Sequence, residues 1–193
     1  MIALATFLAL VPLTTGADDT VPVQGSNVRF PVLVQFPDNG QSVEMGLTGV
    51  ALRKKLIISV YSMGSYLDKT VKVATPEELA TVDAAKWLFL VMERDVSGAD
   101  MAAALRMGIE QTSPKDFQPE MARLVTFFEK QSVRKGDRVW LAHRPGKGVL
   151  INVAGREQIE IANVNFSKAI WNIYLGPTPV AETVKVGLVS RLW

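Results

Sequence analysis

The sequence predicts an α+β domain in which helices pack on one face of an antiparallel sheet. Two observations carry that expectation. Segments of strand character and of helical periodicity come in blocks, strands then helices then strands then helices, not in the regular alternation that a doubly wound parallel sheet requires. Within the strand blocks the connections are short and rich in Gly, Pro and Asn, which is the spacing of hairpins. No repeat, low-complexity tract or linker interrupts the 193 residues, and that length suits one domain.

Residues 28–36 alternate β-branched and aromatic side chains and end at Pro37-Asp38-Asn39-Gly40, a turn whose Gly supplies a positive φ. Residues 42–50 and 52–67 read as two further strands, the second bending at Gly64. Thr75-Pro76-Glu77-Glu78 opens a short helix, with Thr as cap, Pro at the first position and acids at the positive end of the dipole. Residues 86–93 form a buried strand around Trp87-Leu88-Phe89-Leu90-Val91-Met92. Ser97 caps the next helix, with Asp100 completing a capping-box variant, and Met101, Leu105, Gly108 and Ile109 share its inner face. A helix over about 118–132 turns Leu124, Phe127 and Phe128 inward. Residues 137–143, 148–153 and 157–164 form a meander with turns at Pro145-Gly146-Lys147-Gly148 and Ala154-Gly155. Helices over 166–175 and 180–191 close the chain, separated by Gly176-Pro177 and Pro179.

Composition removes whole classes of chemistry. There is no Cys, which excludes disulfides, thiolate metal sites, iron–sulfur clusters and cysteine nucleophiles. The single histidine, His143, argues against a multi-histidine metal site or a Ser-His-Asp arrangement. A net charge of +2 gives no reason to expect nucleic acid as a partner. No GxGxxG, Walker lysine loop or GxSxG elbow is present, so no cofactor is expected. Asp38, Asp137, Glu157 and Glu160 read as turn or exposed-strand charges, and His143 beside Arg144 as a solvent-edge imidazole. Arg53-Lys54-Lys55 reads as a solvated basic edge.

Residues 1–17 carry no charged side chain. An apolar run from Ile2 to Leu13, broken only by Thr6 and Pro12, is followed by small residues at Thr14-Thr15-Gly16-Ala17. This is the pattern of a secretory signal peptide, too short to span a bilayer and lacking only a basic n-region. The expected organisation is a signal peptide over 1–17 and a domain over 18–193, exported and periplasmic, with no transmembrane segment.

The stretch Gly46-Leu-Thr-Gly49-Val-Ala-Leu-Arg53-Lys-Lys-Leu-Ile-Ile-Ser-Val-Tyr61-Ser-Met-Gly64-Ser-Tyr66-Leu67 resembles the signature of the chalcone isomerase-like family. So do Arg94-Asp95-Val96-Ser97-Gly98 and Gly136-Asp137-Arg-Val139. Pro145-Gly146-Lys-Gly148 and Phe166-Ser-Lys-Ala-Ile-Trp171-Asn-Ile173-Tyr-Leu175-Gly176-Pro-Thr-Pro179-Val180 resemble its exported bacterial branch. The resemblance runs in order through most of residues 28–190. It implies an open-faced β-sandwich, an antiparallel sheet with helices on one face and a cleft between.

What the resemblance implies about chemistry is a depleted site. The isomerase Arg matches Arg53, whereas the Thr position falls at Tyr61, a change found in members that bind fatty acids. The catalytic Tyr falls at Met101, the cleft Asn at Gly108, and a polar pair at Asn172 and Ile173. Met donates no hydrogen bond and Gly has no side chain, and the loss of an oxyanion donor costs about a hundred-fold in turnover. The expected function is therefore non-catalytic binding of a small amphipathic carboxylate such as a fatty acid. Arg53 and Tyr61 would clamp the carboxylate, with Phe89, Met101, Leu105 and Trp171 lining an apolar slot made roomier by Gly108. One alternative is an isomerase or intramolecular lyase that uses Arg53 and the Tyr61 phenol on a chalcone-like or other substrate. The other is an envelope scaffold, for which the apolar C-terminal residues through Leu192 and Trp193 would serve a protein partner.

Overall fold

Strand alternation sorts the apolar side chains onto two faces of one sheet, and both faces are covered. The computed structural model describes residues 19–38, 41–112 and 116–193; the expected signal peptide and the Asn39-Gly40 turn lie outside the described residues. The sheet contains β3 (Leu33–Asp38), β4 (Gln41–Lys55), β5 (Ile58–Asp68), β6 (Lys86–Met92), β9 (Arg138–Arg144), β10 (Gly148–Val153) and β11 (Glu157–Ile161). Its order is β11-β10-β9-β6-β5-β4-β3, antiparallel throughout. Two short ribbons flank it, β1 (Thr20–Pro22) with β2 (Arg29–Pro31), and β7 (Val96–Ser97) with β8 (Ser132–Val133).

One face of the sheet carries Met63, Leu67, Leu88, Leu90, Met92, Val139, Leu141, Val149 and Ile151, all buried in the larger core beneath the helices. The other carries Leu47, Tyr66, Trp87 and Ala142, buried in a second core with Phe30 of β2 and Phe36 of β3. The unbroken apolar run in β6 has its explanation here: even-numbered residues meet helices and odd-numbered ones meet the N-terminal ribbon. Gly64 has a packing role in β5. It leaves room for the Phe30 ring, whose Cδ1 would lie 2.8 Å from a Cβ at that position.

The helices are α1 (Pro76–Thr81), α2 (Gly98–Thr112), α3 (Gln118–Glu129), α4 (Val164–Leu175) and α5 (Glu182–Leu188). The capping expected from sequence is present. Thr75 Oγ1 accepts from the Glu78 amide at 3.1 Å while Glu78 accepts from the Ala74 amide. Ser97 Oγ accepts from the Asp100 amide at 3.1 Å and donates to its carboxylate at 2.7 Å. For α4 the cap is Asn163, whose Oδ1 accepts from the Phe166 amide. It ends β11 at Ile161, earlier than the sequence suggested.

Several boundaries differ from expectation for local reasons. The strand expected over 28–36 splits at Val32, where its backbone amide bonds to Asp19 and its carbonyl to Leu47. β4 runs unbroken through Ala51 to Lys55, and the reversal falls at Leu56-Ile57. α3 stops at Glu129, which frees Ser132–Val133 to pair with β7. The final helix covers only Glu182–Leu188, burying Val184 and Leu188, and Trp193 packs over Gly46 of β4.

Candidate ligand-binding site

Arg53 and Tyr61 are direct cross-strand partners on β4 and β5, next to the register shift between Arg53 and Lys54. They share the parity of Ala51 and Met63, so both belong to the helix-covered face. Arg53 is half-buried, and one guanidinium nitrogen donates to the Lys54 carbonyl. Arg53 and Tyr174, the latter carried by α4, both act on the Tyr61 phenol. Burial pushes the Tyr61 phenol above its ordinary pKa, against the opposing pull of Tyr174 and Arg53. Burial and the neighbouring Tyr61 push Tyr174 higher still. Both phenols are therefore protonated at neutral pH. A guanidinium has donors only, and a neutral phenol keeps a proton to donate. The result is one permanent cation beside two phenolic donors. Tyr174 is the member that sequence reasoning missed, and its signal was faint: it lies three residues beyond Trp171 in a helix whose apolar residues are spread over most of its circumference.

A second polar cluster lies under α4. His143, expected at a solvent edge, is fully buried: β9 turns it inward with Val139 and Leu141. Its Nε2 lies 2.8 Å from Asp83 Oδ1 and its Nδ1 2.7 Å from Ser167 Oγ. An ionised Asp83 only accepts, so Nε2 carries the proton and Nδ1 accepts from the Ser167 hydroxyl. Burial, then the nearby Lys86, lowers the His143 pKa to about 4 despite Asp83, so the ring is neutral. Burial raises the Asp83 carboxyl, but hydrogen bonds from His143 and the Gly146 amide outweigh it and hold the pKa below its ordinary value. Lys86 is buried as well. Its ammonium donates to the carbonyls of Leu79, Ala80 and Val82 at 2.9, 2.7 and 2.8 Å, and lies 5.5 Å from the Trp171 ring centre. Burial, then Lys168, lowers its pKa to about 7; three carbonyl acceptors at the C-terminal end of α1 suit its charged form. The order Ser167-His143-Asp83 has the sequence of contacts of a hydrolase triad, yet Ser167 Oγ is sealed in the core. A nucleophile needs access to a carbonyl, so this cluster is structural. Among the described residues no group of three or more His, Cys, Asp or Glu is placed to hold a metal.

The sheet order and the helix layer match known proteins. A family model described as chalcone isomerase-like matches residues 24–190. The chain belongs to the chalcone isomerase-like family. Among solved structures it is similar to a fatty-acid binding protein of Arabidopsis thaliana, with a TM-score of 0.68 at 15% identity over 89% of this chain and 96% of that one. No curated protein matches the chain in sequence.

Within the chalcone isomerase-like fold, the remaining sequence-derived residues separate. Met101 and Leu105 lie on α2, half-buried and buried respectively, in the same core as Tyr61. Trp171 is fully buried, edge-on to His143 at 6.0 Å between centroids, and is part of the polar cluster's wall. Phe89 points from the opposite face, packed edge-on against Phe30 and Trp87. There it lines a cavity of about 380 Å³ with Phe30, Tyr66, Trp87, Arg29 and Arg138. Phe89 and Arg53 therefore cannot wall one slot, because the parity of β6 separates them. The room expected at Gly108 is also absent. A Cβ there would lie 2.7 Å from Ile173 Cγ2, so the missing side chain brings α2 and α4 together and Ile173 fills the space. Among the described residues no helix is long and apolar enough to cross a membrane.

Proposed function

We propose that the protein binds a small amphipathic carboxylate such as a fatty acid, without isomerase turnover, and that it does so in the periplasm after removal of residues 1–17. The observation that carries this is the pairing of Arg53 with Tyr61 on the helix-covered face, backed by Tyr174. A half-buried guanidinium is a planar fork matched to a carboxylate, and an adjacent neutral phenol adds a second donor to the same anion. The fatty-acid binding protein of similar fold supports the ligand class. Met101, half-buried and unbranched, is the adaptable contact for the apolar tail. The missing isomerase groups support the absence of turnover: Met101 stands where a phenol would donate, and Gly108 is committed to helix packing.

The test is native mass spectrometry with organic extraction of protein purified from its own cells, beside Arg53→Ala. A carboxylic lipid that co-purifies with the wild type and is lost from the variant is the expected result; an empty protein in both sinks the reading. N-terminal sequencing of the same preparation checks export, since a mature chain that still begins at Met1 contradicts it.

The phenol pair favours a second reading. Tyr61 beside Arg53 supplies a donor that Met101 cannot, on a different element, so an isomerase or lyase acting on a chalcone-like ketone would use it. Turnover that Tyr61→Phe cuts about ten-fold or more, at unchanged stability, would establish this reading in place of the first.

A further inference from the structure

The turn that joins β4 to β5 consists of Leu56 and Ile57, between the paired residues Lys55 and Ile58. Both side chains stand almost wholly in solvent, at 93% and 92% exposure, and Ile58 is also exposed. Two-residue hairpin turns favour Asn, Asp or Gly because they require positive φ. Leu56 adopts a φ of +57° without such a side chain. The tip is thus apolar where both solubility and turn chemistry call for a polar residue, a local conflict of the kind found at functional sites.

Lys54 and Lys55 directly precede it. Both are exposed, and neither forms a salt bridge among the described residues. Glu93, which the backbone places beside Val60, directs its carboxylate away to Ser26 and Ser62. The two cations therefore remain available at the base of an apolar point.

We propose that this hairpin tip docks on a bilayer of anionic lipid, with Leu56 and Ile57 entering the boundary between headgroups and acyl chains and Lys54 and Lys55 meeting lipid phosphates. Shape separates this from a protein partner. A two-residue tip offers far less than the ~800 Å² that each side of a stable protein interface buries. A bilayer, by contrast, accepts a narrow protruding point. Docking does not depend on what Arg53 and Tyr61 hold. It does place their strand ends beside the membrane, from which an amphipathic carboxylate would come.

Flotation of the full chain with vesicles free of fatty acid tests the inference. The wild type is expected to bind phosphatidylcholine–phosphatidylglycerol vesicles more tightly than phosphatidylcholine alone, and less tightly as salt rises. Leu56→Asn with Ile57→Ser keeps the turn geometry and is expected to weaken binding about ten-fold or more at unchanged melting temperature. Lys54→Glu with Lys55→Glu is expected to abolish the preference for anionic lipid. Absence of binding by the wild type, or equal binding by the Leu56→Asn/Ile57→Ser variant, overturns the proposal. So does a concentration-dependent dimer that this variant abolishes, because the tip would then belong to a second copy of the chain.

Discussion

His143 illustrates how a single side chain sets the acid response of the molecule. Its folded pKa of about 4 lies below the ordinary histidine value of 6.5, so as pH falls the unfolded chain takes up the proton first. The stability contributed by the neutral ring is complete above about pH 6.5 and is lost as pH drops towards 4. The full loss is on the order of 3 kcal/mol. Urea unfolding at neutral pH and near pH 4.5 should show the wild type losing more stability than His143→Gln, which does not titrate. Equal losses would place the acid sensitivity elsewhere. Lys86 makes a complementary case, because its three donors satisfy the last carbonyls of α1 in a region water does not reach. Lys86→Met keeps the volume but strands those carbonyls. It should cost about 2–3 kcal/mol, visible as a lower melting temperature. Neither role is legible in sequence: a lone His next to an Arg and a Lys opening a strand look like surface residues until α4 is laid over them.

At the level of elements, the contact between α2 and α4 turns on one missing side chain. Gly108 costs helix propensity yet permits Ile173 to close against the α2 backbone. Gly108→Ala should therefore destabilise by about 1–2 kcal/mol despite the better propensity of Ala, because overpacking outweighs it. Ile173→Ala in the same chain should recover part of that loss. A double-mutant cycle with no coupling would show that the two helices do not meet there. The β4–β5 hairpin was less legible. Residues 52–67 read as one strand, whereas the ladder reverses the chain inside that range and makes Arg53 and Tyr61 direct partners. Leu56-Ile57 carries no turn residue, while Gly64 on β5 admits the Phe30 ring.

Across the whole molecule, the sheet divides the apolar side chains into two cores that residue type does not distinguish. Phe30 joins the N-terminal ribbon to the sheet, packing over Gly64 and edge-on to Phe89. Phe30→Ala should cost about 3–5 kcal/mol and increase proteolysis within residues 20–31. Carboxylate binding at Arg53 and Tyr61, on the other face, should change little in that variant. Coupled loss of both would mean that the two faces act as one unit.

The sequence by itself determined the fold class, the order of the strand and helix blocks, the caps at Thr75 and Ser97, and the likeness to the chalcone isomerase-like family. All of these rest on local signals, namely alternation, capping chemistry and ordered motifs, which survive without knowledge of distant contacts. Only the tertiary structure decided which face each strand residue takes, so that Phe89 is separated from Arg53, His143 is drawn inside, and Tyr174 is brought to Tyr61. The physical reason is that strand parity fixes two opposite faces, but the helices laid on one and the N-terminal ribbon on the other decide what each buried side chain meets.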